Sequence, residues 1–167
     1  MLLVTGSSGL IGSEAAQFYC ERGYLVIGVD NDMRRFFFGD DASTRWSRDA
    51  LVRDYPQYVH HDVDIRDRAG IERIFQEYGR DIELVIHAAA QPSHDKAASI
   101  PHEDFDVNAV GTLNLLAATH DFVRDSTFCF MSTNKVYGDR PNQIPLVETD
   151  KRWDYANGSD DDIDETM

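Results

Sequence analysis

Three glycines at fixed spacing govern what this chain can fold into. Gly6, Gly9 and Gly12 fall in the run Thr5-Gly6-Ser7-Ser8-Gly9-Leu10-Ile11-Gly12. That run follows the apolar stretch 1–5 and opens a segment of helical periodicity, residues 9–22. A strand passing through a glycine turn into a helix is the first half of a βαβ unit. Gly6 suits the tight turn, Gly9 a close approach of backbone to a pyrophosphate, and Gly12 close packing of helix on strand. The helix start offers unpaired N–H groups and the positive end of its dipole to phosphate. Asp30 closes the next apolar run, 24–29, where an acid bonds a ribose 2′-hydroxyl and repels a 2′-phosphate. The combination predicts a dinucleotide site that prefers NAD to NADP. Its residues are Gly6, Ser8, Gly9, Leu10, Ile11, Gly12, Asp30 and Asn31, joined by Arg34, which with Arg35 stands close enough to blunt the preference.

The same alternation continues along the chain. Strands are expected at 1–5, 24–29, 58–61, 82–87 and 127–131, the runs YLVIGV and IELVIH being apolar throughout, as parallel strands buried on both faces are. Helices are expected between them. The first, 9–22, would pack through Leu10, Ala15, Phe18 and Tyr19, and a second, 43–53, would be capped by Ser43 or Thr44. Asp67 caps a third that runs to Tyr78 through Ile71, Ile74 and Phe75. A long one spans about 101–123 with Phe105, Val107, Val110, Leu113 and Leu116. Phe36-Phe37-Phe38 reads as an apolar loop packed on the domain. The fold class is therefore α/β, a Rossmann-type doubly wound parallel sheet of about five strands.

Composition narrows the function classes. At 167 residues the chain suits one domain. With 30 acidic against 16 basic side chains, its net charge of −14 argues against a nucleic acid polymer as partner. Cys20 and Cys129 are isolated, so neither a metal centre nor a disulfide frame is expected, and a reducing, cytoplasmic setting is. No apolar run has the length of a membrane span, so no membrane partner is expected. Residues 1–139 are read as the NAD-binding domain and 140–167 as an acidic loop or tail, with Asn157, Gly158 and Ser159 breaking any helix.

The glycine spacing TGxxGxxG resembles the short-chain dehydrogenase/reductase superfamily, and further segments sharpen the likeness. Asp62-Val63-Asp64-Ile65 is similar to the superfamily's adenine contact, which implies that role for Asp64 and Ile65. His87-Ala88-Ala89-Ala90 resembles the small-residue step beneath the nicotinamide-side ribose, and Gln91 follows it. His87 itself is expected to be a packed strand-end histidine. Val107-Asn108-Ala109-Val110-Gly111-Thr112 resembles the mid-helix segment of extended members, which implies a place near the active site for Asn108. A helical glycine costs about 1 kcal/mol relative to alanine, so Gly111 implies close packing against sheet or cofactor. Ser132-Thr133-Asn134-Lys135-Val136-Tyr137-Gly138 resembles the S-[ST]-x-x-V-Y-G segment of nucleotide-sugar epimerases and dehydratases. There Thr133 would be catalytic, bonding the reacting sugar hydroxyl, and Tyr137 structural. The segments 30–39, 42–44 and 90–95 resemble the CDP-paratose (CDP-tyvelose) 2-epimerase branch.

The resemblance implies an isomerase working on a nucleotide-sugar through bound NAD, a homo-oligomer as the complete protein with the 101–123 helix as contact. The family's Tyr-x-x-x-Lys pair is not found: Tyr137 has Pro141 at the fourth position after it and Tyr155 has Ser159. The chain is accordingly expected to be the N-terminal part of such an enzyme, with part of the family's sheet, and inactive alone. Alternatives are a UDP-glucose 4-epimerase, a sugar 4,6-dehydratase, or a non-catalytic NAD-binding module.

Overall fold

The apolar runs become the strands β1 (Leu2–Thr5), β2 (Val26–Val29), β3 (Tyr58–His61), β4 (Leu84–His87) and β5 (Thr127–Phe130). They form one parallel sheet in the order β3-β2-β1-β4-β5 in a computed structural model that describes residues 1–156. In register, Thr5 stands opposite Val29 on one side and His87 on the other, so the carboxyl ends of the central strands are level. The strand order reverses between β1 and β4, and the loop after β1 opens at that switch point.

Successive residues of β1 serve opposite faces of the sheet. Leu3 joins Ile27, Val85, Ile71, Phe75 and Leu115 in one buried cluster, while Leu2 and Val4 join Ala16, Cys20, Val26, Leu51 and Ile86 in the other. The first cluster is covered by α4 (Arg68–Tyr78) and α7 (Gly111–Phe122), the second by α1 (Leu10–Cys20) and α3 (Arg45–Asp54). Asp67 caps α4 as expected, accepting from the Gly70 N–H at 3.0 Å, and Ile71, Ile74 and Phe75 are buried.

The inward face of α1 is only partly the expected one. Ala15 and Tyr19 do pack against the second cluster, but Leu10, 82% exposed, and Phe18 face outward, and the buried positions are Gly12, Ala16 and Cys20. The cause is Gly12: a Cβ there would lie 2.0 Å from the Gly6 carbonyl oxygen, so this position must face the loop. That contact sets the helix's rotation, and residues 16 and 20 follow it inward at i+4 and i+8.

Other elements differ in smaller ways. Phe36–Phe38 belong to a short helix, α2 (Met33–Phe38), with Phe37 buried and Phe36 exposed. Ser43 and Thr44 precede α3, but both hydroxyls bond the Asp32 carboxylate, and the Thr44 side chain makes no cap. The short α5 (His94–Ser99) was not expected, although Ser93, accepting from the Lys96 N–H, is an ordinary start signal. The long 101–123 segment divides into α6 (Pro101–Phe105), a π-helical turn (Asp106–Val110) and α7. Its buried residues include Val107, Gly111, Asn114, Leu115 and Ala118, while Phe105, Leu113 and Leu116 are exposed.

Met1–Met131 form one compact unit, and the described residues from Ser132 onward form a second. Within the second, β6 (Leu146–Glu148) pairs antiparallel with β7 (Trp153–Tyr155), so part of the stretch read as an acidic loop or tail is a hairpin. The helix-breaking run at 157–159 lies outside the described residues. Among the described residues no helix is long and apolar enough to cross a membrane, and no cluster of metal-ligating side chains occurs.

Candidate functional site

The glycine loop is fixed from three sides. Gly6 has φ +64° and its N–H donates to the Val29 carbonyl at 2.8 Å. A Cβ on Gly6 would meet the Ala89 nitrogen at 2.7 Å, so the turn is pressed against the chain leaving β4. At Gly9 a Cβ would meet only the Gly6 oxygen, at 3.3 Å, which leaves the helix start open to a ligand. Asp30 ties the loop to β2: one carboxylate oxygen accepts the Ser8 N–H at 3.0 Å, the other the Asp32 N–H at 2.8 Å. The Ser8 hydroxyl is buried and has no hydrogen-bond partner in the structure.

These residues open onto a cavity of about 210 Å³. Its lining brings together Gly6, Gly9, Leu10, Ile11 and Gly12 from the loop, Asp30, Asn31 and Arg34 after β2, Asp64 and Ile65 after β3, and Ala88, Ala89 and Ala90 after β4. Ser8 lies instead in a small polar recess beside Asp30. Gln91 and Asn108 are not in the lining; they bond each other. The Gln91 N–H donates to Asn108 Oδ1 at 2.9 Å, and Asn108 Nδ2 donates to the Gln91 carbonyl at 3.1 Å.

At the far end of the cavity, Asp64 is gripped by its neighbours. Arg66 Nη2 reaches it at 2.6 Å, the Arg66 backbone N–H at 2.9 Å and Asn31 Nδ2 at 3.1 Å. Burial alone would raise this carboxyl's pKa, but the Arg66 bonds and the Asn31 amide outweigh it and hold the pKa below the usual value. Gly111 is explained here as well: a Cβ there would lie 2.5 Å from the Ile65 side chain, so the helix packs directly on a cavity-lining residue.

A second polar chain sets the floor between β1 and β4. Thr112 donates its hydroxyl proton to the Asn108 carbonyl at 2.7 Å, so it accepts from His87 Nε2–H at 2.9 Å. His87 Nδ1 then accepts from the Thr5 hydroxyl at 2.7 Å, and Thr5 Oγ1 accepts the Ala89 N–H at 3.3 Å. Desolvation pushes the His87 pKa down to about 4, so the ring is neutral. His87 is thus a packed strand-end histidine, as expected.

Sequence reasoning missed Met33, Phe37, Phe38 and Val63, which supply apolar wall to the cavity. The nearest signal was the run Phe36-Phe37-Phe38, which has to be covered by something but does not say which ring turns inward. Thr133 lies in the second unit, where its hydroxyl accepts the Lys135 N–H at 3.3 Å at the start of a 3₁₀ turn (Asn134–Tyr137).

A doubly wound parallel sheet with a glycine-lined cavity at its switch point defines a Rossmann-type α/β domain. Residues 3–155 match the GDP-mannose 4,6 dehydratase family, and the chain belongs to that family of nucleotide-sugar epimerases and dehydratases. It is 33% identical over 163 residues to CDP-paratose 2-epimerase of Salmonella typhi, covering 96% of this chain and 45% of that one. It is 33% identical over 147 residues to dTDP-glucose 4,6-dehydratase of Neisseria meningitidis serogroup B, covering 83% of this chain and 39% of the other. Among solved structures, UDP-glucose 4-epimerase of Bifidobacterium longum in complex with NAD+ and UDP is similar with a TM-score of 0.68 and 30% identity, over 82% of this chain and 38% of that one. The chain spans less than half the length of these relatives.

Proposed function

We propose that these residues are the NAD-binding portion of a nucleotide-sugar epimerase, and that the complete protein acts as a CDP-paratose/CDP-tyvelose 2-epimerase. The observation that carries this reading is the single cavity onto which the glycine loop, Asp30, Asp64, Ile65 and the Ala88–Ala90 step all open. The residues fit an extended dinucleotide: an open helix start at Gly9, acids at Asp30 and Asp64, and small side chains after β4.

In this reading Leu10, Ile11 and Gly12 offer the pyrophosphate their backbone N–H groups and the α1 dipole, while Gly6, Ser8 and Gly9, whose N–H groups bond Val29, Asp30 and Gly6, shape the loop that brings the backbone up to it. Asp30 accepts from the adenosine ribose, with Asn31 and Arg34 beside it. Asp64 and Ile65 hold the adenine. Ala88, Ala89 and Ala90 make room for the second ribose, and Asn108 fixes the chain beyond them through Gln91. When bound, NAD supplies the hydride acceptor and donor for transient oxidation at sugar C2, so no net redox change results. Thr133 bonds the reacting sugar hydroxyl. The 167-residue chain alone does not catalyse, because neither Tyr137 nor Tyr155 is followed by a lysine at the fourth position.

The partners in this reading are a nucleotide-sugar and, in the complete protein, a second copy docking on the exposed Phe105, Leu113 and Leu116; the setting is cytoplasmic. The similarity to CDP-paratose 2-epimerase over 96% of the chain supports the 2-epimerase choice. Comparable identity to the UDP-glucose 4-epimerase and the dTDP-glucose 4,6-dehydratase supports a second reading, in which the sugar is oxidised at C4. Calorimetric titration with NAD and NADP tests the cofactor: NAD alone should bind at micromolar levels, and silence with both sinks the reading. Product analysis of the complete protein with CDP-, UDP- and dTDP-sugars decides between C2 and C4.

A further inference from the structure

Beneath the glycine loop is a contact that the cofactor reading does not use. Tyr58, the first residue of β3, is 5% exposed, and its hydroxyl lies 2.8 Å from the buried Ser7 hydroxyl in the loop itself. The ring gets there because residue 28 of the intervening strand is glycine. A Cβ on Gly28 would lie 2.1 Å from the Tyr58 oxygen, so the phenol passes over a space that any other residue would fill. Three separated residues thus meet: Ser7 from the loop, Gly28 from β2, Tyr58 from β3. The only other group within reach of the Tyr58 hydroxyl among the described residues is His60 Nδ1, at a long 3.4 Å.

The position of this contact matters more than its strength. Ser7 sits between Gly6, whose turn is set by Val29 and the Ala88–Ala89 chain, and Ser8, whose N–H is held by Asp30. Its own N–H lies 3.5 Å from the Val29 carbonyl, a weak tie. The Ser7 side chain is therefore the firmest attachment the loop has between those two anchors. Burial drives the Tyr58 pKa up to about 12, so the group stays a neutral hydroxyl at any working pH.

We propose that Tyr58 is a positioning residue for the dinucleotide site: its hydroxyl, threaded over Gly28, pins Ser7 and so holds the loop against Gly12 and keeps the free Leu10, Ile11 and Gly12 N–H groups at the start of α1 where a pyrophosphate meets them. This rests on the NAD reading above, and it is not a contact to the cofactor.

The test compares the 167-residue chain with Tyr58→Phe, Ser7→Ala and the double variant, by NAD titration and by amide hydrogen exchange without cofactor. Tyr58→Phe keeps the ring and deletes one buried hydroxyl bond, and should weaken NAD binding about five-fold. Ser7→Ala should do the same, and the double variant no more than either, since both delete one contact. Gly6–Gly9 amides should exchange faster in both single variants while Ile74 in the distant α4 keeps its wild-type rate. Equal acceleration at Ile74 would make Tyr58 a general stabiliser and overturn the proposal. So would an unchanged NAD affinity in both single variants. Wild-type chain that fails to bind NAD overturns the cofactor reading instead, and the exchange comparison still decides whether Tyr58 holds the loop.

Discussion

Asn108 and the backbone of Gln91 form a two-point hydrogen-bonded pair, 2.9 and 3.1 Å, that joins the π-helical turn to the chain leaving β4. The side-chain amide does what a neighbouring strand would do, giving that chain one acceptor and one donor. Asn108 Nδ2 also reaches Asp104 at 3.1 Å. Asn108→Ala deletes all three bonds and should cost about 2 kcal/mol in urea unfolding, with a weaker hold on NAD. Asn108→Asp should be worse at neutral pH, because a second carboxylate then faces Asp104.

His87 makes folding pH-dependent. Its pKa is about 4 in the folded chain against about 6.5 when unfolded, so between these values the unfolded state binds more protons. Stability contributed by the neutral ring is fully present above pH 6.5 and is lost as pH falls toward 4, by about 3 kcal/mol. His87→Gln carries no titrating group. The difference between wild-type and variant unfolding free energies, followed from pH 7 to pH 4, should shrink or reverse.

Gly28→Ala should destabilise the sheet by about 2 kcal/mol or more, because the methyl group would occupy the place of the Tyr58 phenol. Thermal unfolding checks this. An unchanged melting temperature would mean that Tyr58 has another low-energy position.

Asp30→Ala removes the acceptor of the Ser8 and Asp32 N–H groups and the negative charge proposed to face the ribose. NAD affinity should fall at least ten-fold, while NADP, no longer repelled, should gain relative to it. Paired titrations with the two cofactors read both effects. A variant that still rejects NADP as the wild type does would place the discrimination elsewhere.

The sheet was legible because five apolar runs need no tertiary knowledge to be read as buried parallel strands, and β3 falls at the expected 58–61. So was α4, whose Asp67 cap and Ile71, Ile74, Phe75 spacing are local signals. The rotation of α1 was not, since it depends on the contact of Gly12 with a carbonyl rather than on the apolar pattern. The cavity's glycines, acids and alanines could be named from motif positions, and they do open onto one cavity. Its walls at Met33, Phe37 and Phe38 could not, because a three-phenylalanine run does not say which ring turns inward. Asn108 and Gln91 read alike as cavity residues in sequence; only the fold reveals that they bond each other instead.

With no room for even a methyl group between Gly12 and the Gly6 carbonyl, the glycine loop is a rigid seat continuous with α1. Most of the ordering entropy a flexible anion-binding flap would lose on binding has already been lost in folding. An arriving diphosphate would meet donors already in place, so its association should be fast and largely free of slow conformational phases.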